Sequence, residues 1–588
     1  MQKIYKYKLT ISFFLLFELL FSAPPKQTVS TIEFIGDFAP ATSELKKNMT
    51  VKEGNIFRQN KPELIAQSAE RALVKMGYLY ARLDSVKYQT EKKADRVKVL
   101  IFGQSGPLVR FRKIVIDSDS LQESGYRNLL TISENSPYSS MALQKNINNF
   151  LKLAADNGYP FAEAEVNDIQ FIRDGKEYHA DVQVAVHEGK RIYIKDILLK
   201  GNIYTKDNVI LRELNLAKGD IYSGEALKRT APALSRLGIF KNVKEPEILK
   251  ADGDSLYLLI EVEEGNSTRF DGVVGYVPQS TAIKGDGYFT GLLDLTFGNL
   301  FGTARRFSVH WKKADQNSEE FLMAYTEPWI FGWPLDAGAA LERQVRDTTY
   351  IEWKNHFNFR LRISDRFSLL ADLYRTSVTP DSAASRDLRM ARNEVFNGEI
   401  GIEFDTRDYY LNPRSGLYYK SSYSYGLKKI YGPSYLFKED SLSRNDELHS
   451  IKVQLGLYYN FWSNQVLAAE LFLQQVKGRR LQLSDYFWFG GSRSLRGYRE
   501  NQFRGKVISW MNLEYRFILG RSSRLFLFND WGWYQFPQAS GIKEELLPGY
   551  GLGFRFETGL GILGVDYGLG KGDSFSQGKI HFGLINMF

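Results

Sequence analysis

The sequence predicts two architectures in series: three α+β repeats of order βααββ, then an all-β barrel of sixteen antiparallel transmembrane strands. Three observations carry that expectation. The first half repeats the same landmarks at a spacing of roughly 80 residues. The second half loses helical periodicity and alternates apolar with polar or small residues in segments of 9–13 residues. Aromatic residues make up 14% of the 588, with 40 Phe and 34 Tyr, which suits a wall that meets a lipid–water interface.

The chain opens on an expected export signal, residues 1–23. Lys3, Lys6 and Lys8 supply its positive start, and Leu9 to Phe21 an apolar stretch too short to span a bilayer comfortably. Glu18 interrupts that stretch, and Phe21 stands where a small residue belongs before Ala23, so the sequence does not define the cleavage point. No other helix-length apolar run exists, and the mean hydropathy is −0.32, which excludes a bundle of transmembrane helices.

The next 235 residues or so carry the repeat, with expected modules at 29–105, 109–189 and 191–265. Each opens on a β-type run ("VSTIEFIG", "FRKIVID", "IYIKDILLKGN") and continues into two helical stretches. Between the helices stands Gly54, Asn135 or Gly219, a residue type that tolerates a left-handed turn. The second helix leads to "VKMGYLYARLD", "LAADNGYPFAEAEV" or "LSRLGIFKNVKEPEI", marked by Gly77, Gly158 and Gly238. Two strands close each unit, so one sheet face can pack under two helices. A three-stranded sheet also leaves an edge, and an edge strand can accept an extended client by β-augmentation.

From residue 266 to 588 the alternation of a lipid-facing barrel takes over. In "VISWMNLEYRFIL", Val507, Met511, Leu513, Tyr515 and Phe517 share one face, broken by Ser509, while Asn512, Glu514 and Arg516 share the other. "GEIGIEF" puts Ile400, Ile402 and Phe404 opposite Glu399, Gly401 and Glu403, and "GYGLGFRFE" sets aromatics opposite Gly551, Gly553 and Arg555. Compact turns after even segments ("GNLFGTARR", "EPWIFGWPLD", "DTRDYYLNPRSG") and longer loops after odd ones, such as Pro380 to Arg392, fit an even strand count with both barrel ends on one side.

Several chemistries are excluded or unsupported. With no cysteine, the chain has no disulfide, thiolate site or cysteine-linked lipid. Its six histidines form no H-E-x-x-H or ligand cluster, so no metal and no other cofactor is expected. There is no G-x-S-x-G and no P-loop; "GLGKGDS" around Lys571 lacks the G-K-[ST] order, and no enzyme is expected. The net charge of +9 is scattered among acidic residues, so it reads as a solvated surface facing anionic headgroups, with no nucleic-acid partner.

The repeat resembles the polypeptide-transport-associated (POTRA) repeat. Three further elements, "FGGSRSLRGYRENQFRG" between segments eleven and twelve, "LFLFNDWGWY" as segment thirteen, and the terminal "GKIHFGLINMF", resemble the BamA/TamA superfamily of outer-membrane assembly and translocation barrels. That resemblance implies an outer-membrane protein with periplasmic modules. It implies that loop six folds into the lumen and docks its tip, here Arg496, Gly497 and Tyr498 preceded by Leu495, on an inner-wall motif, here Phe526, Phe528, Asp530 and Gly532. Asp530 would then accept a bidentate bond from Arg496 between the two phenylalanines. In a hydrated lumen, loss of one partner is expected to cost about 1–3 kcal/mol.

The same resemblance makes the last strand, ending in Phe588, one side of an openable seam with the first, where Gly583 kinks the strand or weakens its pairing. The implied partners are outer-membrane lipids and unfolded outer-membrane or secreted protein clients. Three modules are most like the TamA members, which implies a large inner-membrane-anchored partner of the TamB kind. General insertase duty of the BamA type, which usually has more modules, stays open. So does a two-partner-type secretion pore, although the stretch from Ala23 to Val29 leaves no room for its plug helix.

Overall fold

The computed structural model describes residues 27–588 apart from 58–62, 92–95, 119–131, 251–252, 278–287, 314, 316, 347–348, 440–442, 539, 559–560 and 586–588. The export-signal expectation and Phe588 lie outside the described residues.

The first module contains β1 (Thr28–Asp37), α1 (Thr42–Asn48), α2 (Glu63–Lys75), β2 (Arg82–Thr90) and β3 (Arg96–Gln104). Ile65, Ala69 and Ala72, spaced by about a helical turn, bury one face of α2 against Val97, Val99 and Ile101, which alternate along β3. The second contains β4 (Val109–Ser118), α3 (Ser140–Asp156), β5 (Glu163–Asp174) and β6 (Glu177–His187). Ser139 caps α3 by accepting from Ala142 N at 3.3 Å, and Leu143, Ile147, Phe150 and Ala154 pack on Ala180, Val182, Val184 and Val186 of β6.

In both sheets the last strand lies in the centre, parallel to the first and antiparallel to the second, in the orders β1-β3-β2 and β4-β6-β5. The outer strands are therefore the first and second strands of each module, and the start of the first strand is already bonded on its outer side: Val29 N donates to the Asn55 carbonyl and Phe111 N to the Ser136 carbonyl, both at 2.9 Å. The landmark residues ahead of the second helical stretch, Gly54, Asn135 and Gly219, all adopt left-handed backbone, with φ of 89°, 66° and 90°, and the first helical stretch expected in the second module lies outside the described residues.

The third module departs from the plain repeat. It holds β7 (Tyr193–Lys200), α4 (Asp207–Leu211), α5 (Gly224–Arg236), β8 (Phe240–Val243), β9 (Glu247–Lys250) and β10 (Ser255–Glu264), so its middle strand is split in two. Most of it packs with the barrel as one compact unit. Asn299 donates to Thr205 Oγ1 at 2.9 Å, Lys206 N to the Gly302 carbonyl at 2.9 Å, and Arg212 to the Thr303 carbonyl at 3.1 Å.

The barrel wall is one sixteen-stranded antiparallel sheet in sequential order. Its strands are β11 (Thr268–Val277), β12 (Tyr288–Leu300), β13 (Arg305–Lys313), β14 (Glu319–Glu327), β15 (Leu335–Arg346), β16 (Tyr350–Arg362), β17 (Phe367–Pro380) and β18 (Arg392–Asp405). They continue through β19 (Gly416–Gly432), β20 (Asn445–Trp462), β21 (Gln465–Lys477), β24 (Val507–Ile518), β25 (Arg524–Gln538), β26 (Gly541–Thr558), β27 (Gly561–Leu569) and β28 (Lys579–Ile585).

A small hairpin, β22 (Phe487–Phe489) with β23 (Phe503–Gly505), belongs to the loop between β21 and β24. Leu513, Tyr515 and Phe517 face outward while Glu514 and Arg516 are buried, which is the alternation expected of a wet or plugged lumen behind a lipid-facing wall. Among the described residues no helix is long and apolar enough to cross a membrane.

Candidate functional site

The loop between β21 and β24, the sixth outer loop of the barrel, enters the lumen and fastens its tip to the inner face of β25. Residues 526, 528, 530 and 532 share that face because β-strand side chains alternate. Arg496 donates from Nε to Asp530 Oδ2 at 2.8 Å and from Nη2 to Asp530 Oδ1 at 2.7 Å. Its backbone N–H adds a third bond to Asp530 at 3.1 Å. The guanidinium lies 3.9 Å from the centre of the Phe528 ring and 5.5 Å from that of Phe526.

A second carboxylate completes the grip. Glu514, on the neighbouring strand β24, accepts from Arg496 Nη1 at 2.6 Å and from Arg516 Nε at 2.7 Å. The four charges of Arg496, Arg516, Asp530 and Glu514 cancel.

The rest of the tip is held by apolar packing and by close backbone approach. Leu495 is fully buried among Phe489, Tyr498, Trp510, Tyr534 and Leu547. Gly532 leaves room for Leu495, whose side chain would lie 2.7 Å from a Cβ there. Gly497 has φ +88°, and a Cβ would strike the backbone of Leu569 at 2.6 Å. Across from it, a Cβ on Gly549 would sit 2.2 Å from the Arg496 carbonyl, and one on Gly568 2.6 Å from Gly497 N. Glycines on β26, β27 and the following turn thus form a track in which the loop backbone runs. Tyr498 seals the end, donating its hydroxyl to the Pro548 carbonyl at 2.8 Å and accepting from Lys571 N at 2.9 Å.

Both residues are buried at this point: Arg496 is 4% exposed and Asp530 0%. The discount made for a hydrated lumen therefore does not apply, and removing one partner costs the undiscounted, about 3–5 kcal/mol of a buried pair. Sequence reasoning found Arg496 and Asp530 but missed Glu514 as their third member. The signal was there, since Glu514 alternates onto the inward face of β24. It also missed the work of "GLGKGDS", whose Gly568, Gly570 and Lys571 receive the loop tip.

The terminal strand is the other candidate. Gly583 lies opposite Gly564 of β27, and the ladder passes through both without a register shift. The strand therefore carries no bulge there. Two glycines opposed across a ladder supply no cross-strand side-chain pair, which leaves that position weakly held. Ile580 and Phe582 of β28 are exposed on the outer face. Among the described residues no ladder joins β28 to β11.

This geometry defines a class: a transmembrane barrel with an inward loop fastened to its wall, preceded by small α+β modules. Residues 299–588 match the Omp85 superfamily domain, and residues 27–102 and 192–265 match the POTRA family described as a surface antigen variable number repeat. Together these matches take in well over half the chain, which belongs to the Omp85 superfamily, as a barrel with POTRA domains. It is thus an outer-membrane barrel with its POTRA modules in the periplasm, of a non-enzymatic family. The middle repeat lies outside both matched ranges and has the same sheet order as the first.

The outer membrane protein assembly factor BamA of Nitratidesulfovibrio vulgaris is 24% identical over 552 residues, which cover 87% of this chain and 66% of that protein. BamA of Neisseria meningitidis serogroup B is 22% identical over 314 residues, covering 51% of this chain and 38% of that one. The chain spans less than two thirds of the length of either relative. The solved structure of CdiB from Escherichia coli has the same fold, with a TM-score of 0.52 at 13% identity over 90% of this chain and 95% of that one.

Proposed function

We propose that this protein is an outer-membrane assembly and translocation factor. Its POTRA modules receive extended clients by β-augmentation, and its barrel releases them through the seam between β11 and β28. The observation that carries this reading is the loop-six lock. A loop fixed across the inner wall by Arg496, Asp530 and Glu514 is poorly suited to an open pore, and it leaves the wall as the route for a client. A closed wall has every strand edge paired, so only an openable seam can template another strand. The choice of seam is supported by β11 and β28 being the two ends of the sixteen-strand order, with no ladder joining them among the described residues. On the modules, β2 and β5 are free, solvent-facing edges; β5 exposes Val166 and Phe171.

The finer role follows from two observations that point differently. Three modules support a TamA-like duty with a TamB-like partner anchored in the inner membrane. The names of the relatives support general insertion of outer-membrane proteins, as in BamA. Depletion separates them: loss of most barrel proteins from the outer membrane indicates general insertion, and loss of few indicates the TamA-like role. The seam itself is tested with one cysteine in β11 and one in β28 of this cysteine-free chain. Function lost on oxidation and restored by reduction is expected; full function of the cross-linked form contradicts the seam.

A further inference from the structure

The turn between β14 and β15 places two bulky residues in left-handed backbone, Trp329 and Phe331, both at φ 54°. Such geometry is costly for residues with a Cβ and persists where the surroundings over-determine it. The two side chains have different fates. Trp329 is half-buried against the third module, its indole N–H donating to Glu213 Oε1 at 2.7 Å. Phe331 is 96% exposed, and Trp333 two residues on is 68% exposed.

The adjacent turn between β12 and β13 repeats the theme. Phe301, at φ 57°, is 70% exposed. Against that turn lies the Ile203–Tyr204 tip of the third module, whose side chains are 96% and 60% exposed. The tip is rigidly seated: the Tyr204 carbonyl fills the space a Cβ on Gly302 would need, and Glu264 accepts from the N–H groups of both Tyr204 and Thr205.

Both turns close strands at the module end of a membrane-spanning wall, so they lie at the lipid–water boundary, where Trp, Tyr and Phe settle. Trp333 continues an outward row that runs through Leu335, Ala337 and Ala339, the last two paired across the ladder with the exposed Phe359 and Phe357. The patch is thus continuous with the lipid-facing surface.

We propose that Phe301, Phe331, Trp333, Ile203 and Tyr204 form a foot that binds phospholipid of the inner leaflet, and that Trp329 couples that binding to the placement of the third module. The coupling path is short. Arg362 bonds Glu213 at 2.9 Å and Asp336 at 2.8 Å, and its guanidinium lies 5.7 Å from the centre of the Trp329 ring. A turn levered by lipid on its Phe331 side thereby moves the carboxylate that the module offers on the other.

The full-length protein carrying Phe331→Cys, labelled with an environment-sensitive fluorophore, would be placed in phosphatidylethanolamine/phosphatidylglycerol vesicles with chain-brominated lipids. Quenching several-fold stronger than for a label at Asp84→Cys, on the first module, is expected. Equal quenching overturns the foot. Burial seen in native membranes but not in pure vesicles assigns the patch to a protein partner and overturns it as well. For the coupling, the distance between spin labels at Lys218→Cys and Arg366→Cys is measured. The Phe331→Ser/Trp333→Ser variant should broaden that distribution as Glu213→Gln does. An unchanged distribution in a variant with normal heat-modifiable mobility refutes the coupling; should that variant not fold, the label on Phe331→Cys still decides the foot.

Discussion

In the second module Arg112 grips Asp181 through Nε and Nη2 at 2.9 and 2.5 Å, and in loop six Arg496 grips Asp530 through the same two nitrogens at 2.8 and 2.7 Å. On distances alone the two forks are equivalent. Their surroundings are not: the Arg112 side chain is 46% exposed and Asp181 22%, whereas those of Arg496 and Asp530 are 5% and 0%. Water screens the first pair and competes for its bonds. The second has no such alternative, so either partner left alone is a buried, uncompensated charge. Burial, and not bond length, separates a decorative ion pair from a structural lock.

That comparison can be broken at several points. The largest effect is expected from Arg496→Ala, a loss of about 3–5 kcal/mol of barrel stability, read as a lowered urea midpoint and altered heat-modifiable mobility. Next comes Gly549→Ala, which forces a methyl against the Arg496 carbonyl and should cost about 1–3 kcal/mol without touching any charge. If this variant is neutral, the glycine track does not hold the loop. Glu213→Gln is intermediate, because Arg362 keeps Asp336 as a second partner; it should cost about 1 kcal/mol and loosen the third module in hydrogen exchange.

Asp181→Asn should do least. The hydrogen bond from Arg112 holds the Asp181 carboxyl below its ordinary value. A depressed carboxylate contributes its stability above the unfolded value of about pH 4, and that contribution is lost as pH falls through the lower folded value. The variant should therefore differ from the parent near neutrality and converge with it in acid, with the difference confined to second-module amides in hydrogen exchange of the full chain.

Much of this was legible in the sequence because it was periodic. Alternation in "VISWMNLEYRFIL" placed Glu514 and Arg516 inside, and the spacing of Gly54, Asn135 and Gly219 placed the left-handed turns. The Arg496–Asp530 pair came from resemblance, since nothing local in "SLRGY" announces a partner 34 residues away. Three features gave no local signal. The strained Trp329 and Phe331 look like any aromatic turn. Glu213 and Arg362 are joined across 149 residues without a shared pattern. The burial of the Arg496–Asp530 pair is set by Leu495, Tyr498 and the glycines of β26 and β27 together, so only the assembled barrel reveals it.

The most direct test of the lock is a double-mutant cycle on Arg496 and Asp530 in vesicles, run beside the same cycle on Arg112 and Asp181. The account predicts a coupling of about 2–3 kcal/mol for the first pair and of about 0.5 kcal/mol or less for the second. Equal couplings would show that loop six is not held by a buried lock, and with it would fall the argument that clients leave through the wall.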